Sequence, residues 1–163
     1  MNKQLTEKLY EKYPKIFKQK DLPMNQTCMC WNFDCGDGWY SLLDCLCKEI
    51  QYRVDEGESH YIRYPFGMFF GKIFGCTWMV GRHTTKKIHQ VEAIQVKEKF
   101  GGLRFYYQGG NTEIHNTISF AESLSYYICE TCGSMDNVSQ TKGWVYTWCE
   151  ECQTKAKQRG EIK

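Results

Sequence analysis

Two Cys-x-x-Cys pairs, Cys129-Glu130-Thr131-Cys132 and Cys149-Glu150-Glu151-Cys152, stand sixteen residues apart near the end of a 163-residue chain. Two residues between paired cysteines let a tight turn aim both sulfurs at one ion, so each pair supplies half a tetrahedron. The stretch between the pairs then has to fold back as a hairpin. Gly143-Trp144-Val145-Tyr146-Thr147-Trp148 alternates like a strand and runs into the second pair, and residues 150–159 carry a helical pattern. A knuckle, a hairpin and a second pair at a helix N-terminus make a treble-clef or zinc-ribbon-like unit, in which the helix dipole favours thiolate charge. One structural Zn2+ held by Cys129, Cys132, Cys149 and Cys152 is the expected cofactor. The same thiolates suit an iron–sulfur cluster, and two disulfides or four free thiols are the non-metal alternatives. A site closed by four sulfurs leaves no open position for substrate, so the metal is expected to hold the fold and perform no chemistry.

The surroundings of this unit favour metal over disulfides. The N-terminus is charged, no apolar secretory stretch follows it, and no run of about 18 apolar residues is present. A reducing cytoplasm with no membrane association is therefore expected, where cysteines serve as ligands or buried thiols. The formal charge is +2. Four thiolates and one divalent ion bring it to zero, which argues against non-specific nucleic-acid binding by bulk charge. The distribution is uneven: residues 86–108 hold five basic side chains against two carboxylates, so a local basic face remains available.

Upstream, periodicity predicts an α+β domain. Leu5, Leu9, Tyr13 and Phe17 trace an amphipathic stripe over 3–18, and Pro14 is expected to stop the helix near Tyr13 or make it restart there. Residues 24–39 fit neither period and read as an ordered loop with an extended piece at 27–32, where Gly36 and Gly38 give freedom for a tight turn. A second helix spans 39–55 with Asp37 as N-cap. Residues 91–108 alternate as a hairpin around Phe100-Gly101-Gly102, and a third helix covers 113–128. The expected architecture is a small antiparallel sheet centred on 91–108, packed by helices and closed by the four-cysteine unit. Residues 1–112 form the core, with an aromatic, glycine-rich insertion at about 57–90, and 113–163 form the helix plus metal unit.

Other candidate sites are weaker. Cys28, Cys30 and Cys35 offer a second ligand set, with Cys45, Cys47 or a histidine as fourth member; small buried hydrophobes are the competing reading. Asp34, Asp37 and Asp44 lie close in sequence, as carboxylates that bind Mg2+ do. No His-x-x-x-His pair, nucleophile triad or phosphate-binding glycine loop is present. Lys97, Lys99 and Arg104 with Tyr106 make a basic, aromatic strand face suited to phosphates and bases. Trp78 and Arg82, in or beside the aromatic segment 60–81, are further contact candidates.

Three stretches carry a resemblance. They are Phe17-Lys18-Gln19-Lys20-Asp21-Leu22-Pro23-Met24 followed by Cys28-Met29-Cys30-Trp31 and Cys35-Gly36-Asp37-Gly38-Trp39-Tyr40, the run Gln95-Val96-Lys97-Glu98-Lys99-Phe100-Gly101-Gly102-Leu103-Arg104-Phe105-Tyr106, and the cysteine pairs with Gly143-Trp144 ahead of the second. Together they resemble small zinc-binding proteins of uncharacterised function encoded by tailed bacteriophages and prophages. The likeness covers most of the chain outside 57–90. It implies an accessory protein made inside a bacterial cell, of a kind that engages host enzymes or defence systems.

The expected function is therefore a non-enzymatic binding module for a bacterial host protein, nucleic acid or nucleotide. Two alternatives remain at this stage. One is a metal-dependent nuclease or nucleotide hydrolase on the 28–37 loop. The other is a zinc-finger DNA-binding regulator that uses Lys155 and Arg159.

Overall fold

The computed structural model of the chain describes residues 1–63 and 81–161, with backbone alone at 58–63 and 81–85. Helix α1 (Lys3–Lys12) begins at Asn2, whose side-chain carbonyl accepts the Leu5 N–H at 3.0 Å. It stops at Tyr13 because the residue before a proline is pushed out of the helical region; Tyr13 sits at φ −128°, ψ 55°. The helix thus ends near Tyr13, where Pro14 is expected to stop it, and does not restart as an α-helix over the rest of the 3–18 stripe. Ile16 and Phe17 reach the core from the irregular turn that follows.

Residues 27–32 are not extended. Met29–Trp31 form a 3-10 turn with Met29 buried, and strand β1 is the two-residue Phe33–Asp34 that comes after. A second 3-10 turn, Asp37–Trp39, runs straight into helix α2 (Tyr40–Glu56). Asp37 is not the cap expected of it, since the capping position falls on Trp39. Its carboxylate instead accepts Asn2 N–H at 2.6 Å and Asn2 Nδ2 at 2.7 Å, tying the start of α1 to the entry of α2. The two helices are joined again where Lys12 donates to Asp44 at 2.9 Å.

Strands β2 (Glu58–Arg63) and β3 (Gly81–Lys86) pair antiparallel, Glu58 opposite Lys86. They frame the expected insertion. Trp78 lies outside the described residues, and Arg82 sits on β3, where the backbone alone is described. Strands β4 (Glu92–Lys99) and β5 (Gly102–Gln108) form the expected hairpin, Val96 opposite Phe105 and Lys97 opposite Arg104. Its register shifts between Ala93 and Gln95. β1 adds to the other edge of β4, and it does so in parallel, so the sheet β1-β4-β5 is mixed where a purely antiparallel one was expected.

Helix α3 (Thr112–Leu124) starts at Asn111, which accepts the Ile114 N–H at 3.0 Å. Its C-terminal end seals the free edge of β5. Ser125 Oγ accepts Leu103 N–H at 2.9 Å, and Glu122 Oε1 accepts Phe105 N–H at 2.8 Å. An edge strand left open would present those donors to other chains. The fold is α+β, with four helices among the described residues, and none is long and apolar enough to cross a membrane.

Leu9, Phe17, Leu43, Ile50, Val96, Leu103 and Ile114 are fully buried between sheet and helices. Trp39 is buried among them, and its indole Nε1 donates to Ile128 O at 3.0 Å. That bond crosses from the α2 entry to the start of the first cysteine pair. Trp39→Ala is expected to cost about 3–5 kcal/mol. Trp39→Phe keeps most of the volume but removes the donor to the part-buried Ile128 carbonyl, for about 1–2 kcal/mol. Denaturant midpoints at unchanged m-value check both.

Candidate metal centre and hairpin face

Ile128 ends a 3-10 turn (Ser125–Tyr127) in extended conformation, and the chain then folds into a knuckle. Cys129 N–H donates to Ser134 O at 2.8 Å, and Gly133 N–H returns to Cys129 O at 2.8 Å. Gly133 lies at φ +80°, where a β-carbon would be strained. Strands β6 (Val138–Gln140) and β7 (Thr147–Cys149) make the hairpin, Val138 opposite Cys149. Cys149 is the N-cap of helix α4 (Glu150–Gln158), and Cys152 falls in its first turn. The elements follow the order expected of a zinc-ribbon-like unit.

The four sulfurs lie within 4.8 Å of one another. Cys132 Sγ and Cys149 Sγ are 3.7 Å apart. A disulfide needs about 2.05 Å, while four sulfurs each about 2.3 Å from one ion would be separated by about 3.8 Å. The described cysteines are all free thiols. The donor set therefore fits one tetrahedral metal ion. Burial raises the Cys129 thiol, yet backbone N–H groups of Cys149, Cys132 and Thr131 outweigh it and hold the thiol below its ordinary value. Cys132 and Cys152 go the other way, through burial first and then through crowding by the other sulfurs. A divalent cation at the centre would offset that crowding, and the positive N-terminal end of α4 would act in the same direction.

The unit is seated on the core by close backbone approach. A β-carbon at Gly36 would lie 2.2 Å from Glu130 O, and one at Gly38 would lie 2.2 Å from Cys129 O and 2.5 Å from Gly133 N. Neither glycine adopts a positive φ. Their role is thus not the turn flexibility expected from sequence but the room they leave for the knuckle. Gly38 N–H donates to Glu130 O at 2.8 Å and Gly36 N–H to Glu130 Oε1 at 2.9 Å. Glu130 is 8% exposed, and burial pushes its carboxyl up. A second seat lies at the β4–β5 turn. Thr147 Oγ1 donates to Gly101 O at 2.5 Å, and Gln140 Nε2 donates to Phe100 O at 3.4 Å. Gly102 leaves space for the Tyr126 ring, which a β-carbon would meet at 2.4 Å. The two upstream sequence motifs therefore both end on the metal unit. Glu130, Gly36, Gly38 and Thr147 were not singled out as site residues in the sequence; their pairing is long-range and leaves no local periodic trace.

Cys28, Cys30 and Cys35 do not assemble into a second ligand set. Among the described residues the four-cysteine group is the one cluster of three or more metal-ligating side chains. The 3-10 turn carries Cys28 and Cys30 to half-buried positions, with Cys30 Sγ donating to Thr27 O at 3.4 Å. Cys35 faces the core, where burial pushes its thiol up to about 12. The three carboxylates are likewise separated: Asp34 is exposed on β1, Asp37 binds Asn2, and Asp44 accepts from Lys12 and Tyr13.

The hairpin face does come together. Lys97, Lys99, Arg104 and Tyr106 share one side of β4–β5 by register. Lys97 Nζ lies 5.6 Å from the Tyr106 ring centroid and Lys99 Nζ 5.3 Å from that of Phe100. Arg104 is half-buried and already engaged, donating to Leu103 O at 2.7 Å and Tyr126 OH at 2.9 Å. On α4, Lys155 pairs with Glu151 at 2.6 Å and Arg159 with Glu161 at 2.7 Å, so those cations are partly neutralised.

Gly36→Ala and Gly38→Ala are each expected to cost about 1–3 kcal/mol or more, because backbone atoms and not flexible side-chain ends occupy the space. Denaturant unfolding measures the loss, and metal release to a competing chelator should quicken in the same variants. Gly143→Ala is the contrast: no atom lies within 4 Å of its β-carbon position, so the penalty is confined to its φ of +84°.

No protein-family model, curated protein or solved structure matches the chain, and the functional reading rests on this clasp and the face beside it.

Proposed function

We propose that the chain is a non-enzymatic, zinc-stabilised binding module of the tailed-phage or prophage type. It engages a bacterial host protein, nucleic acid or nucleotide ligand in the host cytoplasm, in an accessory role such as inhibition of a defence system. The observation that carries this reading is the pairing of a closed four-sulfur centre with an exposed face seated on it. All four donors are protein thiolates, which leaves no coordination position for a substrate. Zn2+ is the ion whose ordinary structural site is such a tetrahedron, and sulfurs this close surround one ion with no room for several irons. Bound zinc neutralises thiolate charge and cross-links knuckle to helix. Through Glu130 and Thr147 the same unit braces the loop at 35–39 and the turn at 100–102.

The hydrolase alternative is less favoured because Asp34 and Asp37 belong to no group of ligands. The DNA-regulator alternative is less favoured because Lys155 and Arg159 are already paired.

Elemental analysis is expected to find about one zinc per chain. Chelation is expected to raise hydrogen exchange across 113–159 and at 35–39 and 100–102 before the centre of β4 opens. Protein without metal refutes the zinc reading. Pull-down from a bacterial host with zinc-loaded protein, read by mass spectrometry for protein and nucleotide, tests the binding reading. A specific partner lost in Lys97→Glu/Lys99→Glu supports it, and recovery of the chain alone refutes it. Metal-dependent turnover of nucleic acid lost in Asp34→Ala, with the fold intact, would replace the module with a hydrolase.

A further inference from the structure

The most exposed large apolar side chains among the described residues are Trp144 at 76% and Phe100 at 71%. They belong to different units, Phe100 to the β4–β5 turn and Trp144 to the loop joining β6 to β7, yet they line one groove. It measures about 380 Å3 and is completed by Glu98, Lys99, Gly143 and Val145. Hydrogen bonds hold the two lips in place: Gln140 reaches the Phe100 carbonyl, and Thr147 reaches that of Gly101. On the Trp144 side, Thr141 Oγ1 donates to Trp144 O at 2.7 Å and accepts Tyr146 N–H at 2.8 Å. The groove is therefore a shaped feature of two braced turns.

Phe100 is costly where it stands. It has φ +54° and is followed by Gly101 at φ +74°, the backbone of a turn whose first central position favours Asn, Asp or Gly. A bulky aromatic in the left-handed region is strained, and its ring finds no burial to offset the strain. Local stability among the described residues does not account for a phenylalanine here.

The surrounding charge names the kind of partner. Lys99 borders the groove, Lys97 lies two residues along the same strand face, and Lys142 is exposed two residues before Trp144 in the same loop. Among the described residues none of the three has a carboxylate at ion-pair distance. The one acid on the groove, Glu98, is turned to the Gly101 N–H at 2.5 Å. Tyr106, Lys97, Lys99, Phe100 and Trp144 thus set unpaired cations between aromatic rings. Single-stranded nucleic acid is recognised in this way, with bases on rings and phosphates on lysines. A duplex keeps its base faces stacked internally and cannot use the rings.

We propose that the groove between Phe100 and Trp144, flanked by Lys97, Lys99 and Lys142, binds single-stranded nucleic acid. This rests on the binding-module reading and narrows its partner. The metal unit supplies one wall, so the site exists only while the clasp is loaded.

The test is fluorescence anisotropy of zinc-loaded full-length protein with labelled single strands of roughly 15 nucleotides, DNA and RNA in separate arms, against the matching duplex. Single strands are expected to bind at least about fivefold tighter than duplex. Three lysine–phosphate contacts predict a log–log salt slope of about −2, or about fifteenfold weaker binding between about 50 and 200 mM salt. Trp144→Ala and Phe100→Gly should each weaken binding about fivefold or more. Phe100→Gly relieves the strained φ, so its melting temperature should hold or rise, which separates lost contact from lost fold. The tighter of the DNA and RNA arms identifies the strand. Equal duplex binding, unchanged affinity in both aromatic variants, or no binding of either strand overturns the proposal. If no strand binds while a host protein is retained through Lys97 and Lys99, this inference falls and the module reading stands.

Discussion

The carbonyl oxygens of Cys129 and Glu130 occupy the space that β-carbons would need at residues 38 and 36. That steric fact holds the molecule together. It lets the metal knuckle rest backbone-to-backbone on the entry of α2, where Gly38 N–H and Gly36 N–H are satisfied by Glu130, and Trp39 reaches back to Ile128. No other residue type fits either position, so the seat is set by the lack of a side chain. A knuckle of this kind has little core of its own. The surface on which it sits orders it, and one ion held by its thiolates would add to that order.

From that seat the connections run both ways. Glu130 N–H donates to Thr147 O at 2.9 Å, linking knuckle to β7, and Thr147 Oγ1 continues to Gly101 at the hairpin turn. Thr147 is fully buried, so its hydroxyl has to find a protein partner. One hydrogen-bonded path thus joins α2, the metal unit and the tip of β4–β5. The far edge of β5 is closed by Ser125 and Glu122, at the end of α3 that leads into the cysteines. The sheet is small, and the first half of its outer strand depends on the segment that delivers the cysteines.

What was legible in the sequence follows from range. The four cysteines, the β4–β5 alternation and the helix stripes are local patterns, and the structure places them close to where periodicity predicts. The two-residue β1 is too short to show a period, and its parallel pairing with β4 across some sixty residues has no local sign. Asp37 looked like a cap because it precedes a helix, but the intervening 3-10 turn removes it from the capping position and Asn2 takes its carboxylate. Cys28, Cys30 and Cys35 looked like ligands because cysteines were dense; burial of Cys35 and the turn at Met29–Trp31 scatter them. The candidate face was half legible. Lys97, Lys99 and Tyr106 follow from strand alternation, whereas Trp144 joins them only through the folded metal unit.

A formal charge of only +2 and a basic hairpin face are compatible because the charges are segregated. The cysteine sulfurs lie together inside the clasp, and the carboxylates nearest the hairpin are occupied: Glu98 by the Gly101 amide, Glu122 by the Phe105 amide. Carboxylates fixed on backbone donors cannot swing out to neutralise Lys97 or Lys99. The same hydrogen bonds that shape the turn therefore keep its lysines available, and the potential at this face is set by local structure more than by overall charge.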